Sequence, residues 1–135
     1  MKQKQRKHLF LFLFWGWILF ILANSLLPGQ IEPIDQDNGQ NLLRLDYMLH
    51  FGAYFVLAVF FFFWQVNGRY ILLRKQVTMF LAGGILLAAG SEIVQYFVPE
   101  RSFNPNDFVS NTLGLILGIF TPQWIFHQYK HRWYS

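Results

Sequence analysis

Seven polar side chains with acid, base or anion-binding chemistry occur in three short segments of an otherwise apolar chain. The acid–base candidates are Asp46, His50, Glu92 and Asp107, and the candidate ligand-binding residues are Gln95, Arg101 and Asn111. Residues three or four positions apart share one face of a helix. Six of the seven form such pairs, namely Asp46 with His50, Glu92 with Gln95, and Asp107 with Asn111. If their helices meet, these residues form one polar site.

The residue types in this site favour proton transfer and anion binding. Asp46 beside His50 would orient the imidazole ring for acid–base work. Glu92 lies within an apolar segment, where an ionisable group needs a functional or structural reason. Arg101 offers a planar guanidinium suited to a phosphate or a carboxylate. A histidine with three carboxylates could also hold a hard divalent cation, but the spacing matches no familiar metal motif, and we predict no metal and no cofactor.

Each of these residues also has a purely structural interpretation. Asp46 and Asp107 could simply cap helices, and the polar residues of neighbouring helices could bond to one another without binding a ligand. Arg101 could pair only with Glu100 or with a lipid phosphate. Glu92 is the most difficult to explain in this way. Structural bonds between helices are the favoured interpretation for two polar residues late in the first apolar stretch, Asn24 and Ser25.

The composition indicates that membrane-spanning helices position these residues. Of the 135 residues, 54% are hydrophobic and only 13% are charged, about half the charge of a typical soluble domain. Four stretches are close to the roughly 20 apolar residues that cross a bilayer, at 9–27, 49–66, 77–98 and 108–126. The absence of cysteine excludes disulfides, zinc thiolates and iron–sulfur clusters. We therefore predict an all-α bundle of four transmembrane helices in the cell membrane.

Charge distribution predicts the orientation of the bundle. Nine of the eleven Lys and Arg residues lie in the two tails and the middle loop, and such residues accumulate on the cytoplasmic side. We expect both termini in the cytoplasm, with a basic segment at 1–8, the membrane domain at 9–126 and a tail at 127–135. The polar site then faces outward. The first span is interpreted as a retained anchor rather than a cleaved signal peptide, and these scattered cations do not indicate nucleic-acid binding.

Small residues predict where the helices approach one another. Gly114 and Gly118 form a small-xxx-small pair, which allows close contact between membrane helices. We expect this contact within one bundle, with a homo-oligomer as the alternative.

Three motifs resemble those of the VanZ-like family of small bacterial membrane proteins. The first is the short segment from Ser25 to Pro28, and the second runs from Asp46 to Tyr54, like the family pattern D-K-x-x-H-F-x-x-Y. The third runs from Glu92 to Gly118, like E-x-x-Q…R…D-x-x-x-N-x-x-G-x-x-x-G. One departure is Tyr47, which stands where a lysine is common. The resemblance implies a multi-pass membrane protein, and the founding member is associated with resistance to the glycopeptide teicoplanin.

Three function hypotheses follow from these observations. The first is an envelope factor of the VanZ type that acts on a lipid-linked or anionic group at the outer leaflet. His50, Glu92 and Asp107 would handle protons, and Arg101 would hold the anion. The alternatives are a non-enzymatic protein that binds a lipid head group or a partner, and a small proton-coupled carrier.

Overall fold

Four long helices make up the described part of the chain. The computed structural model describes residues 3–28, 45–66, 71–99, 101 and 103–133, and these contain no β-strand. The helices are α1 (Gln3–Leu26), α2 (Leu45–Gln65), α3 (Arg74–Tyr96) and α4 (Pro105–Trp133). All four are long and apolar enough to cross a membrane. The predicted all-α bundle of four membrane-spanning helices is therefore confirmed.

Each helix begins before the apolar stretch from which it was predicted, and α4 also ends after it. α1 begins at Gln3 instead of residue 9, and α4 continues to Trp133, through most of the predicted tail. Lys and Arg are good helix formers, and their long side chains can extend from a membrane helix towards water. Charge therefore ends the apolar segment without ending the helix.

A close parallel contact between α2 and α4 forms the centre of the bundle. Gly114 faces the backbone of Phe51, and Gly118 faces Phe55, one helical turn further along both helices. A Cβ atom added at Gly118 would lie 2.6 Å from the carbonyl oxygen of Phe55 and 2.7 Å from the Cβ of Ala58. The predicted use of the two glycines within one bundle is confirmed, and this stripe is already covered by the chain's own α2.

The other two helices pack on this central pair. α1 runs antiparallel to α2, and the indole Nε1 of Trp17 donates a hydrogen bond to the carbonyl oxygen of Ala53 at 2.8 Å. α3 runs antiparallel to α4, and the side chain of Leu115 packs on Gly84. Successive helices therefore alternate in direction, and the ends of α1 and α3 lie beside the beginnings of α2 and α4.

Aromatic rings fill the interior, and apolar side chains also cover the outside. The rings of Phe61 and Phe80 stack with centroids 4.3 Å apart, and Phe14 packs against both. Phe12 and Leu86, in contrast, are 76% and 73% exposed. Large exposed apolar surface on a folded chain indicates an apolar surrounding, and this agrees with a bundle that faces lipid.

The two ends of the bundle carry different polar residues. We call the end where α1 begins and α4 finishes the terminal end, and the opposite end the site end. At the terminal end, Gln76 Oε1 accepts a hydrogen bond from the Leu73 N–H at 2.8 Å, and its Nε2 donates to Gln65 at 3.1 Å. Gln123 Oε1 accepts from the Leu72 N–H at 3.4 Å. These glutamines help to pair the backbone where α3 begins.

Candidate functional site

The site end brings together acid–base candidates from three helices. The first turns of α2 carry Asp46 and His50, the last turns of α3 carry Glu92, and the first turns of α4 carry Asp107 and Asn111. The alternating helix directions place these segments at the same level. The other four side chains lie around the imidazole ring of His50.

A buried series of hydrogen bonds runs from one side of His50 to Glu92. His50 Nδ1 lies 3.1 Å from Asn111 Oδ1, and Asn111 Nδ2 donates to Glu92 Oε1 at 3.3 Å. An amide oxygen only accepts, so with this amide orientation His50 Nδ1 carries the hydrogen. The lone pair of the neutral ring is then on Nε2. Glu92 and Asn111 are both fully buried.

Two carboxylates face the opposite side of the imidazole. His50 Nε2 lies 3.6 Å from Asp46 Oδ1 and 3.8 Å from Asp107 Oδ2. Asp46 is 36% exposed, whereas Asp107 is 7% exposed and Glu92 is completely enclosed. The cluster is thus open to the surroundings at Asp46 and closed at Glu92. Asp46, His50 and Asp107 each offer one potential metal-ligating atom, and these three atoms lie within 4.8 Å of one another.

Asn104, not Asp107, caps α4. The side-chain Oδ1 of Asn104 accepts a hydrogen bond from the Asn106 N–H at 3.1 Å, and Pro105 is the first residue of the helix, a favoured place for proline. The interpretation of Asp107 as the cap is therefore wrong. Asp107 lies two residues further along, and its Oδ2 faces His50. The Asn-Pro pair was the sequence signal for this cap.

Arg101 and Gln95 stand apart from the hydrogen-bonded series. Arg101 is half-buried, and its Nε is buried without a hydrogen-bond partner. Within the described part of the chain, no ion pair joins its guanidinium to the carboxylates around His50. Gln95 is buried on α3, about one turn beyond Glu92. Their proposed roles in ligand binding stay predictions.

α1 contributes less to this end than its sequence suggested. The hydroxyl of Ser25 donates to the carbonyl oxygen of Ile21 at 2.9 Å, within the same helix. The expected bond from Ser25 to another helix is therefore wrong. A serine on an apolar helix can satisfy its hydroxyl on the carbonyl four residues earlier, and a neighbouring helix is not required.

The hydroxyl groups of Tyr54 and Ser91 form a hydrogen bond one helical turn from His50, and the sequence did not predict this pair as part of the site. Tyr54 is 2% exposed, and its hydroxyl lies 3.0 Å from Ser91 Oγ. Ser91 in turn donates to the carbonyl oxygen of Ala88 at 2.8 Å, so the Tyr54 hydroxyl donates to Ser91. The sequence signal was the four-residue step from His50 to Tyr54, which places both on one face of α2.

Tyr47 connects α2 to the segment that leads into α4. Its hydroxyl oxygen accepts long hydrogen bonds from the side-chain amides of Asn104 and Asn106, at 3.4 and 3.3 Å. Tyr47 occupies the position at which the resemblance implied a lysine. Here that position anchors the beginning of α4, close to Asp107.

A family comparison agrees with the fold and with the motifs around the site. The model of the VanZ/LLP1 family matches residues 6–126, a range that includes every candidate site residue. The chain matches no curated protein and no solved structure. The family match covers most of the chain, and the four helices are those of a multi-pass membrane protein. The protein therefore belongs to the VanZ/LLP1 family.

Proposed function

We propose that this protein acts on the bacterial cell envelope from the cell membrane, and that its polar site binds a lipid-linked or anionic group at the outer leaflet. The observation that carries the proposal is the convergence of His50, Asn111 and Glu92 in one hydrogen-bonded series. Asp46 and Asp107 flank this series on its open side. Buried ionisable groups are costly within a membrane and commonly mark functional sites, which supports a role beyond packing.

The site is proposed to face outward because of the distribution of basic residues. Lys and Arg are concentrated in the two tails and the middle loop, the segments expected on the cytoplasmic side. A reporter enzyme that is active only in the cytoplasm, fused after Ser135, should therefore be active. A reporter active only outside the cytoplasm should be inactive at the same position, and the reverse result would contradict the orientation.

In this proposal the charged groups have three different tasks. His50, Glu92 and Asp107 handle protons, and Asp46 orients the imidazole. Arg101, whose Nε is buried without a hydrogen-bond partner, holds the anionic group when the group enters. The three carboxylates repel an anion, so the cation of Arg101 is needed for binding.

The proposal includes a role in glycopeptide resistance, which membership of the VanZ/LLP1 family suggests, and teicoplanin susceptibility tests this role directly. The wild-type chain, expressed in a susceptible bacterium, should raise the minimum inhibitory concentration of teicoplanin. Glu92→Gln and His50→Gln should return it to the level of the empty vector, while immunoblots show equal amounts in the membrane. His8→Gln is the matched control, because His8 lies on α1 at the terminal end. No increase with the wild type would refute the resistance role, and unchanged resistance in the two variants would refute the acid–base role.

A non-enzymatic binding protein is the second candidate function. It is favoured by the hydrogen bonding of Ser91, the serine next to Glu92 in sequence. The Ser91 hydroxyl donates to the carbonyl oxygen of Ala88 and not to His50, so His50 does not activate it as a nucleophile. In this case, Arg101→Ala should weaken binding of a fluorescent lipid phosphate to the purified protein, and Glu92→Gln should leave that binding unchanged. Loss of binding in both variants would argue against a purely cationic contact.

The arrangement of titratable groups argues against the proton-carrier hypothesis. Between the site cluster and the charged residues of the terminal end, Tyr54 is the one titratable side chain within the described helices. A proton path across the bundle would need further relays. We expect no proton flux above that of empty liposomes when the protein is reconstituted. Proton flux with the wild-type protein that is lost in Glu92→Gln would instead support the carrier hypothesis.

A further inference from the structure

Three potential ligand atoms lie close together on the open side of His50. In the neutral ring, Nε2 presents its lone pair on this side, because Nδ1 donates to Asn111. The nearest oxygens of Asp46 and Asp107 lie 3.6 and 3.8 Å from Nε2, longer than the 2.7–3.2 Å of an ordinary hydrogen bond. Three electron-pair donors thus face one another without direct hydrogen bonds between the ring and the carboxylates.

These separations match those between the ligands of one metal ion. A cation with bonds of about 2.1 Å holds its ligand atoms about 3.0 Å apart at a right angle and about 4.2 Å apart when they are opposite. The two measured distances fall in this interval, and all three atoms lie within 4.8 Å of one another. The third pair, Asp46 with Asp107, lies within the same limit of 4.8 Å.

Glu92 is a buried carboxyl group on the Nδ1 side of His50, and a nearby positive group would stabilise its charged form. Its side chain is completely enclosed, and its Oε2 has no hydrogen-bond partner. Its other oxygen, Oε1, lies 4.0 Å from His50 Nδ1, so the carboxyl group is directed at the cluster. A buried polar atom without a partner is unfavourable and asks for an explanation. A cation bound at Nε2, on the opposite edge of the ring, would lower the electrostatic part of this cost.

We propose that Asp46, His50 and Asp107 bind one divalent transition-metal cation of the Zn²⁺ or Mn²⁺ class. An imidazole nitrogen with two carboxylates favours these ions over Ca²⁺ and Mg²⁺, which prefer oxygen ligands alone. Asn111 is the outer partner that metal-bound histidines usually have, because it accepts the Nδ1 hydrogen and fixes the ring. This proposal departs from the sequence-based expectation that no metal binds.

Three protein ligands leave at least one coordination position open. That position would accept water or an oxygen of an anionic group, and the site is open to the surroundings at Asp46, the most exposed of the three ligands. A bound cation occupies the lone pair of Nε2, so cation binding and proton transfer are alternatives at that atom. The cation site does not depend on the proposed envelope role and can be tested without it.

Metal titration of the purified chain tests this site. The protein is prepared in detergent with a tag free of histidine, stripped with a chelator and titrated with Zn²⁺ by calorimetry. We expect one cation per chain. His50→Gln and Asp107→Asn should each weaken binding by about 100-fold or more, above the 10- to 100-fold typical of outer partners. His8→Gln, at the terminal end, should bind as the wild type does.

Two further measurements keep the test decisive if a variant folds poorly. Co²⁺ bound to the wild type should give visible absorption bands that disappear when excess Zn²⁺ is added. Zn²⁺ should raise the melting temperature of the wild type but not that of Asp46→Asn, whose changed side chain is partly exposed. Absence of stoichiometric binding to the wild type, or equal binding in the folded ligand variants, would overturn the proposal.

Discussion

The polar residues around His50 and those at the terminal end have different hydrogen-bond partners. At the terminal end they bond mainly to backbone: the Arg6 guanidinium donates to the Val66 carbonyl oxygen at 3.1 Å, and Gln76 accepts from the Leu73 N–H. At the site end, His50 and Asn111 bond to other side chains. Both ends lie in long apolar helices, so composition alone does not distinguish them.

This difference separates structural from functional polar groups. The first N–H groups and last carbonyls of each helix lack partners within the helix, and the terminal-end residues help to supply them. No helix end requires the bonds among His50, Asn111 and Glu92, and one oxygen of Glu92 is left over. A buried polar residue that pairs with side chains is therefore the better candidate for function.

Removing an aromatic ring near the terminal end should have the largest effect on stability. Phe80 is 6% exposed and stacks on Phe61, so Phe80→Ala should lower the free energy of unfolding by about 4 kcal/mol through the cavity it creates. His50→Gln should lower it far less. Denaturant titration in detergent micelles measures both. A comparable loss of unfolding free energy in the two variants would mean that His50 contributes as much to stability as the aromatic core.

Separating α2 from α4 should disturb both ends together. Gly118→Val places side-chain atoms against the Phe55 carbonyl oxygen, which cannot move without the helix, and should cost about 3 kcal/mol. Gly52→Ala is the matched control, because a Cβ atom at Gly52 meets nothing within 4 Å. The same titration, with the amount of protein in membranes, measures the effect. Equal stability of the two variants would contradict the close contact.

Loss of a backbone partner at the terminal end should have a smaller effect. Gln123→Leu removes the acceptor for the Leu72 N–H and should cost about 1 kcal/mol, as for a typical hydrogen bond. Teicoplanin susceptibility should be the same as with the wild type. A change in susceptibility without a change in protein level would show that the two ends are coupled, which the comparison does not predict.

The smallest effect is expected at Tyr47. Its two accepted hydrogen bonds are long, so Tyr47→Phe should cost about 0.5 kcal/mol, the lower limit for a hydrogen bond. Because they anchor the segment before α4, proteolysis or hydrogen exchange at residues 103–107 should increase although global stability hardly changes. Unchanged exchange there would show that Asn104 holds this segment without Tyr47.

Much of this architecture follows from the sequence, because apolar length predicts membrane helices and helix alternation places 46–50, 92 and 107–111 at one end. The four-residue spacing then put Asp46 with His50 and Asp107 with Asn111. The sequence does not predict which side-chain atoms are in contact. The contact of Asn111 with both His50 and Glu92 depends on helix rotation, and the position of Arg101 depends on a loop without a repeating pattern. The Ser25 hydroxyl bonds within its own helix, and the spacing of polar residues does not distinguish such a bond from one to a neighbouring helix.

The parallel pairing of α2 and α4 has an electrostatic consequence for the acidic cluster. A helix carries roughly half a positive elementary charge at its N-terminus, from aligned peptide dipoles. Asp46 and Asp107 both lie in the first turns of their helices, and the glycine contact holds those two beginnings side by side. Two positive helix poles therefore add at one place. Backbone polarity therefore helps to balance the charge of Asp46 and Asp107, but not that of Glu92, which lies in the last turns of α3, near a negative helix pole.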